Sequence, residues 1–471
     1  MGRPSATIFS KDATLCELLE TRLGQESALH IVGSQAESSS SDFSATALAN
    51  IGNSTWAQQT VFVDLRDLTT WSAEDWSLLQ RRVETAHRVI GIVDHGIPLD
   101  RAVEADQICQ AFLEYPFEQG RLQTVLREAE RNTSPRRVLK ARNVVGQKHS
   151  LTTYTPSLYP ALDELEIAAR HDFTILLIGE TGTGKTYLAN LIHELSPRND
   201  RRFVHVACGA LPKDLLDSEL FGHKKGAFTG AEVDKQGKLE AAGDGTFLLD
   251  EIDVLGMEQQ VKLLRILESG EYERVGCNET RDLKARTIVA SNLSLERLIS
   301  EGRFRSDLYF RLKQVKFEIP PLRQRPLDIL PLAISFITEC SRENEIPVSM
   351  VTPEFIQVLM TYDWPGNIRE LRNETRRAVL FCQDGIITPD LMTPTVVQEA
   401  RNRAEQMEFA ASPTACLARE VATTEQEAIE SMLKSLNFNR AATARALGIS
   451  RVTLYNKIRK YRIPLDRRKP K

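Results

Sequence analysis

The chain has 471 residues, of which 42% are hydrophobic and 26% charged, with a net charge of −4. That length exceeds one typical core and predicts about two to four domains. No apolar run reaches the roughly 18 residues of a membrane span. No apolar signal region follows Met1–Thr7, and seven scattered cysteines without a Cys-x-x-Cys pair speak against a disulfide scaffold or a zinc site, so a cytoplasmic protein is expected.

Residues 1–130 alternate short β-like runs (Thr7–Ser10, Val61–Asp64, Arg88–Val93) with helical stretches at Ala13–Leu23 and Gln119–Arg131. This alternation predicts an α/β domain with a parallel sheet. Ala36–Asn53, rich in Ser, Ala and Asn, reads as a loop. A polar, Arg-rich joint at 131–143 leads into a second block at 144–396, again α/β. The polar stretch 397–422 reads as a linker, with helical potential at Gln398–Phe409, and 423–471 forms a last, all-α block.

Within the second block, Phe173–Ile178 is a short apolar strand running into Gly179-Glu180-Thr181-Gly182-Thr183-Gly184-Lys185-Thr186 and then an amphipathic helix from Tyr187 to Leu195. This is the Gly-x4-Gly-Lys-Thr phosphate loop in its strand–loop–helix setting. Glycines let backbone N–H groups wrap phosphates, Lys185 neutralises β/γ charge, and Thr186 offers a hydroxyl to Mg²⁺. Downstream, the apolar run from Gly245 to Leu249 ends in Asp250 and Glu251. Asp250 suits a Mg²⁺ ligand acting through water, and Glu251 suits orientation of an attacking water. Positive charge for the γ-phosphate is offered by Arg303, Arg305 and Arg311.

Between these two motifs lies Gly226-Ala227-Phe228-Thr229-Gly230-Ala231. Its bracketing glycines permit a tight turn that projects Phe228 and Thr229 outward, and an apolar tip in water is costly unless a partner receives it.

The C-terminal block carries an amphipathic stretch at Thr424–Leu436, a second short helix at Asn439–Leu447, a Gly448-Ile449 turn, and a third helix at Arg451–Tyr461 capped by Ser450. From Arg440 onward eleven basic residues face Asp466 alone, giving about +10, a footprint suited to phosphates. Helix, glycine turn and basic helix predict a helix-turn-helix with its last helix in the major groove. Ser450, Arg451, Thr453 and Asn456 are the candidates at or near base edges, and Lys457 and Lys460 those for phosphates.

These motifs resemble the sigma-54-dependent enhancer-binding transcription activators, a branch of the AAA+ ATPases, closely over 144–390 and well over 423–463. The most specific element is Leu216-Asp217-Ser218-Glu219-Leu220-Phe221-Gly222-His223 running into Gly226–Ala231. The resemblance implies that the hexapeptide loop touches sigma-54 and moves as ATP is hydrolysed. It implies Asp250 and Glu251 as the Walker B pair, Asn292 as first sensor, and Arg369 of Trp364–Leu371 as second sensor. Arg305 and Arg311 then act as arginine fingers across a subunit boundary, which implies an oligomer from dimer to hexameric ring. The C-terminal block is similar to the Fis-type DNA-binding domain. Implied cofactors are ATP and Mg²⁺, and implied partners are the sigma-54 RNA polymerase holoenzyme and upstream enhancer DNA, with no membrane.

Three departures stand out. Where the family carries Asn before the cysteine of its Asn-Cys-Ala strand, this chain has Ala207 before Cys208, so Glu251 lacks its usual restraint. Thr186 stands where many members have Glu, and Cys277 where a second glycine is common. Residues 1–130 resemble a response-regulator receiver, with Asp64 at the phosphoacceptor position and Tyr115-Pro116-Phe117 in place of Lys-Pro-Phe. With Tyr for that lysine and the acidic pair reduced to Lys11-Asp12, the resemblance implies a degenerate receiver that is not phosphorylated. Against an ATP-driven activator stand a DNA-binding repressor or scaffold with an uncoupled ATPase, made conceivable by Ala207, and an AAA+ unfoldase or replication loader.

Overall fold

The computed structural model describes residues 5–10, 12–23, 28–32, 60–66, 88–131, 141–210, 212–228, 231–411, 429–433, 436, 440–447, 454 and 457–458. The first block is β1 (Ser5–Phe9), α1 (Ala13–Leu23), β2 (Ala28–Val32), β3 (Thr60–Asp64), β4 (Arg88–Val93), β5 (Ile97–Pro98), α2 (Ala102–Ile108), β6 (Ala111–Glu114) and α3 (Gln119–Arg131). Its sheet is parallel, in the order β2-β1-β3-β4-β6, the doubly wound arrangement whose ligand crevice lies at the β1/β3 switch point. Ile8, Phe62, Ile90 and Ile92 from the strands pack with Leu15 and Leu19 of α1 and Leu122 and Val125 of α3.

The second block opens with the hairpin β7 (Arg142–Val145) and β8 (Ser150–Thr153), then α4 (Tyr159–Ala169), β9 (Ile175–Ile178), α5 (Lys185–Glu194), β10 (Phe203–Ala207) and α6 (Lys213–Phe221). It continues through β11 (Gly222–His223), β12 (Lys235–Gln236), α7 (Lys238–Ala242), β13 (Thr246–Asp250), α8 (Met257–Ser269), β14 (Glu271–Glu273), β15 (Thr280–Asp282), β16 (Arg286–Ser291), α9 (Leu295–Ser300), α10 (Ser306–Leu312) and β17 (Val315–Glu318). The central sheet runs β10-β13-β16-β9-β17, every pair parallel. Both faces are covered, so the strands are apolar almost without interruption. Alternate residues feed two cores. Leu176, Phe247, Leu249 and Val289 enter one, and Ile175, Leu177, Leu248 and Ile288 the other.

A helical lid follows: α11 (Pro326–Asn344), β18 (Met350–Val351), α12 (Pro353–Thr361), α13 (Asn367–Phe381), β19 (Ile386–Ile387) and α14 (Pro394–Ala411). Thr352 caps α12 by accepting the Phe355 N–H, with Pro353 in the first turn, where its missing N–H costs nothing. The start of the expected 397–422 linker needs correction, because α14 runs unbroken from Pro394 to Ala411. Its composition is polar yet rich in good helix formers, and polarity alone did not mark a loop. The first block is joined to the lid by a strand: β5 pairs antiparallel with β18, which pairs parallel with β19, and Leu99 N–H donates to Ser349 O at 2.9 Å.

Residues 398–471 form a second compact unit. In it residues 429–433 are helical and α15 spans Arg440–Ala446. Ile429, Leu433, Ala444, Leu454 and Ile458 make its core, which brings parts of all three expected helices together. Among the described residues no helix is long and apolar enough to cross a membrane.

Candidate nucleotide site and partner loop

The loop after β9 takes the shape that the glycine spacing predicts. Gly182 and Gly184 have φ of 81° and 99°, and a Cβ on Gly182 would stand 2.2 Å from Gly366 O, so only glycine fits there. Lys185, buried at the start of α5, donates from Nζ to Gly179 O at 2.7 Å, Glu180 O at 3.0 Å and Asn292 Oδ1 at 2.7 Å. Burial pushes its ammonium below the usual lysine range, against the opposing pull of Asp250, Asp253 and Glu251. The first-sensor candidate thus touches the phosphate-loop lysine across the β9/β16 pair. Asp253 fixes that sensor segment by accepting Ser291 Oγ–H and the Asn292 N–H.

Thr186 donates to Asp250 Oδ2 at 3.0 Å, joining the two motifs. Burial raises the Asp250 carboxyl, but His205, Thr186 and the Glu251 N–H outweigh it and hold it below the ordinary range. His205 Nε2 lies 3.4 Å from the same oxygen. Sequence reading missed His205, although its period-2 offset from Ala207 on β10 would have placed both on one face. Ala207 pairs in register with Asp250, which is where a restraint on Glu251 would sit. Glu251 adopts φ of 58°, a left-handed conformation rare for a non-glycine residue. A Cβ on Gly209 would lie 2.1 Å from Glu251 Oε2, so the carboxylate rests over a bare backbone.

The expected arginine fingers are held by their own chain. Arg305 forks Asp307 at 3.0 and 2.6 Å, Arg311 Nε donates to Leu267 O at 2.9 Å, and Arg303 pairs with Glu301 at 3.2 Å. Arg369 lies exposed over the phosphate loop, its N–H donating to Gly182 O at 3.3 Å. The side chain of Glu180 corrects a simple phosphate-loop reading, since it reaches the lid. Arg323 forks it at 2.8 and 2.6 Å and Asn367 donates at 3.2 Å. The Arg323 guanidinium is the main reason its carboxyl falls to about 2, with Asn367 adding to the shift against burial. Arg323 and Asn367 were not singled out in the sequence, because their role depends on the lid folding back across separations of 143 and 187 positions.

The hexapeptide forms a closed turn. Gly226 N–H donates to Ala231 O at 2.8 Å and Ala231 N–H to Phe228 O at 3.0 Å. Asp234 braces its base through Lys224 Nζ and the Lys225 N–H, both at 2.8 Å. Phe228 lies exposed, in line with the outward projection expected of it. Its ring packs edge-on to His223 at 5.0 Å and the residue is 37% exposed. His223 is itself buried and fixed by Ser218 Oγ at 2.7 Å, so one edge of the exposed tip rests on the loop's own stem. Thr229 and Gly230 lie outside the described residues.

In the first block Asp64 ends β3 at the switch point. It accepts Ser10 Oγ–H at 2.7 Å and is forked by Arg66 at 2.9 Å, and Arg66 also reaches Asp12 at 2.8 Å and stacks on Tyr115 at 4.3 Å. A single guanidinium thus bridges the two carboxylates from within the chain. In the C-terminal unit Lys457 is helical and half-buried, while Ser450, Arg451, Thr453, Asn456 and Lys460 lie outside the described residues.

Residues 151–318 match the Sigma-54 interaction domain, 323–408 the AAA+ ATPase lid domain, and 420–461 the bacterial regulatory proteins of the Fis family. Regulatory protein AtoC of Escherichia coli is 38% identical over 376 residues, 78% of this chain and 81% of AtoC. Regulatory protein LuxO of Vibrio cholerae is 34% identical over 79% of this chain and 82% of LuxO. The Nif-specific regulatory protein of Azotobacter vinelandii is 40% identical over 66% of this chain, and the chain spans 58% of that relative's length.

Proposed function

We propose, for a chain that belongs to the sigma-54-dependent enhancer-binding transcription activators, that it converts ATP hydrolysis into opening of a sigma-54 promoter. Residues 423–463 bind upstream DNA, 144–396 assemble into a ring, and the 226–231 loops push on sigma-54 in the RNA polymerase holoenzyme. The observation that supports this best is the junction of Lys185 with Asn292 and of Thr186 with Asp250, in the same α/β block that emits the glycine-bracketed loop.

In this reading the N–H groups of 182–186 and Lys185 bind the phosphates of ATP. The Thr186 hydroxyl and Asp250 carboxylate, hard oxygen donors 3.0 Å apart, fit a Mg²⁺ site. Held by these two side chains, Mg²⁺ would supply positive charge to offset the negative charge that develops on the transferring phosphoryl group. Glu251 orients and polarises the attacking water. Arg305 and Arg311, freed from Asp307 and the Leu267 carbonyl, stabilise charge at a neighbouring subunit's nucleotide. Residues 1–130 act as a regulatory domain that takes no phosphoryl group, since Arg66 already engages both Asp12 and Asp64.

Ala207 favours a second reading, a DNA-binding repressor or scaffold whose ATPase is uncoupled. Thr229→Ala separates the two. The expected outcome is loss of promoter activation with DNA binding and ATP turnover retained; activation at the wild-type level would defeat the assignment of the loop.

A further inference from the structure

A carboxylate inside a phosphate-binding loop is electrostatically misplaced unless something neutralises it, since it repels the triphosphate it adjoins. Glu180 is neutralised by the lid. Arg323 grips it with both terminal nitrogens, at 2.8 and 2.6 Å, the bidentate geometry that makes Arg–carboxylate pairs specific. Asn367 adds a bond from Nδ2 to Glu180 Oε2 at 3.2 Å and another to Thr181 O at 3.0 Å. Its Oδ1 accepts the Leu322 N–H at 2.8 Å, so one fully buried amide ties the Arg323 turn, the start of α13 and the phosphate loop together. Asn367 holds φ of 53°, a left-handed conformation that asparagine tolerates better than most residues. Beside it, Arg369 N–H meets Gly182 O at 3.3 Å.

This grip has work to do. Lys185 donates to the loop carbonyls of Gly179 and Glu180, and the backbone of Arg369 meets the same loop at Gly182 O, so the two cations belong to the two parts that this contact joins. We propose that Glu180 is a positioning residue that latches the lid onto the phosphate loop through Arg323 and Asn367, so that Lys185 and Arg369 are preorganised for an anionic nucleotide. Preorganisation of this kind strengthens binding by reducing what must be ordered when the ligand arrives. The inference rests on the ATPase reading of the site. It adds that nucleotide retention, more than the chemical step, depends on the second residue of the loop.

The test uses the full-length protein and a fluorescent N-methylanthraniloyl ADP. Glu180→Ala and Arg323→Ala are each expected to speed its release about five-fold, the scale of a partly exposed bidentate pair with added hydrogen bonds. The double variant should release no faster than Arg323→Ala, because both single changes remove the same contact and Arg323→Ala alone also leaves the Glu180 carboxylate bare beside the phosphates. Glu180→Gln, which keeps the shape and the Asn367 bond, should fall between wild type and Glu180→Ala. In ATP turnover the loss should lie in KM rather than kcat. Without nucleotide, amide exchange at 179–182 and 366–369 should rise in both single variants. Additive effects in the double variant, or unchanged exchange, would overturn the latch while leaving the ATPase reading intact. A wild-type protein that binds no nucleotide would instead remove the reading on which the latch rests.

Discussion

Glu251 shows how much a single side chain's surroundings decide. Gly209, with no side chain, leaves room for it: the carboxylate sits over the position a Cβ at 209 would fill. Gly209→Ala must therefore move it, and the far end of a flexible side chain is what gives way first. A displacement of about 1 Å in a catalytic group can cost up to ~100-fold in rate. We expect kcat for ATP to fall by roughly 10- to 100-fold with KM changed by less than about two-fold, a split that steady-state kinetics resolves. An unchanged kcat would mean that Glu251 is not held by this seat.

At the scale of elements, the hairpin β7–β8 is tied to the phosphate-loop helix by one carboxylate. Glu194, at the end of α5, accepts the N–H groups of Lys148 and His149 at 2.9 and 3.0 Å and lies 2.5 Å from His149 Nδ1. Burial alone would raise its pKa, but these donors prevail and hold it at about 2. A carboxylate depressed in the folded state contributes stability that is fully present above its unfolded value and is lost as pH falls toward the folded one. Glu194→Ala should therefore cost on the order of 1–3 kcal/mol at neutral pH. The gap from wild type should narrow below about pH 4.5, as urea unfolding at several pH values would reveal. A gap independent of pH would show that packing, not charge, is what Glu194 supplies. Elements of this kind divide sharply in how far the sequence reveals them. The strand–loop–helix at 175–194 and the acidic end of β13 are legible because period, glycine spacing and residue chemistry coincide over a few positions. The helix Pro394–Ala411 was half hidden by its polarity. His205, Gly209, Arg323 and Asn367 were not legible, since each acts on a residue that only the folded sheet or lid brings near.

Across the molecule, the first block, the ATPase core and the lid are joined by backbone as well as side-chain contacts. The two-residue strand Ile97–Pro98 completes a sheet with Met350–Val351 and Ile386–Ile387 of the lid, and the lid's Asn367 and Arg323 grip the phosphate loop. In the first block Arg66 bridges Asp64 and Asp12 at the end of β3. The C-terminal unit folds around its own small apolar centre, as a separate reading head requires. The central claim is that this assembly turns ATP hydrolysis into promoter opening, and the most direct test is permanganate reactivity of a sigma-54 promoter. Full-length protein and sigma-54 holoenzyme are supplied with ATP or with a non-hydrolysable analogue. The account predicts reactive thymines around the start site with ATP and none with the analogue; ATP consumed without any reactivity would contradict it.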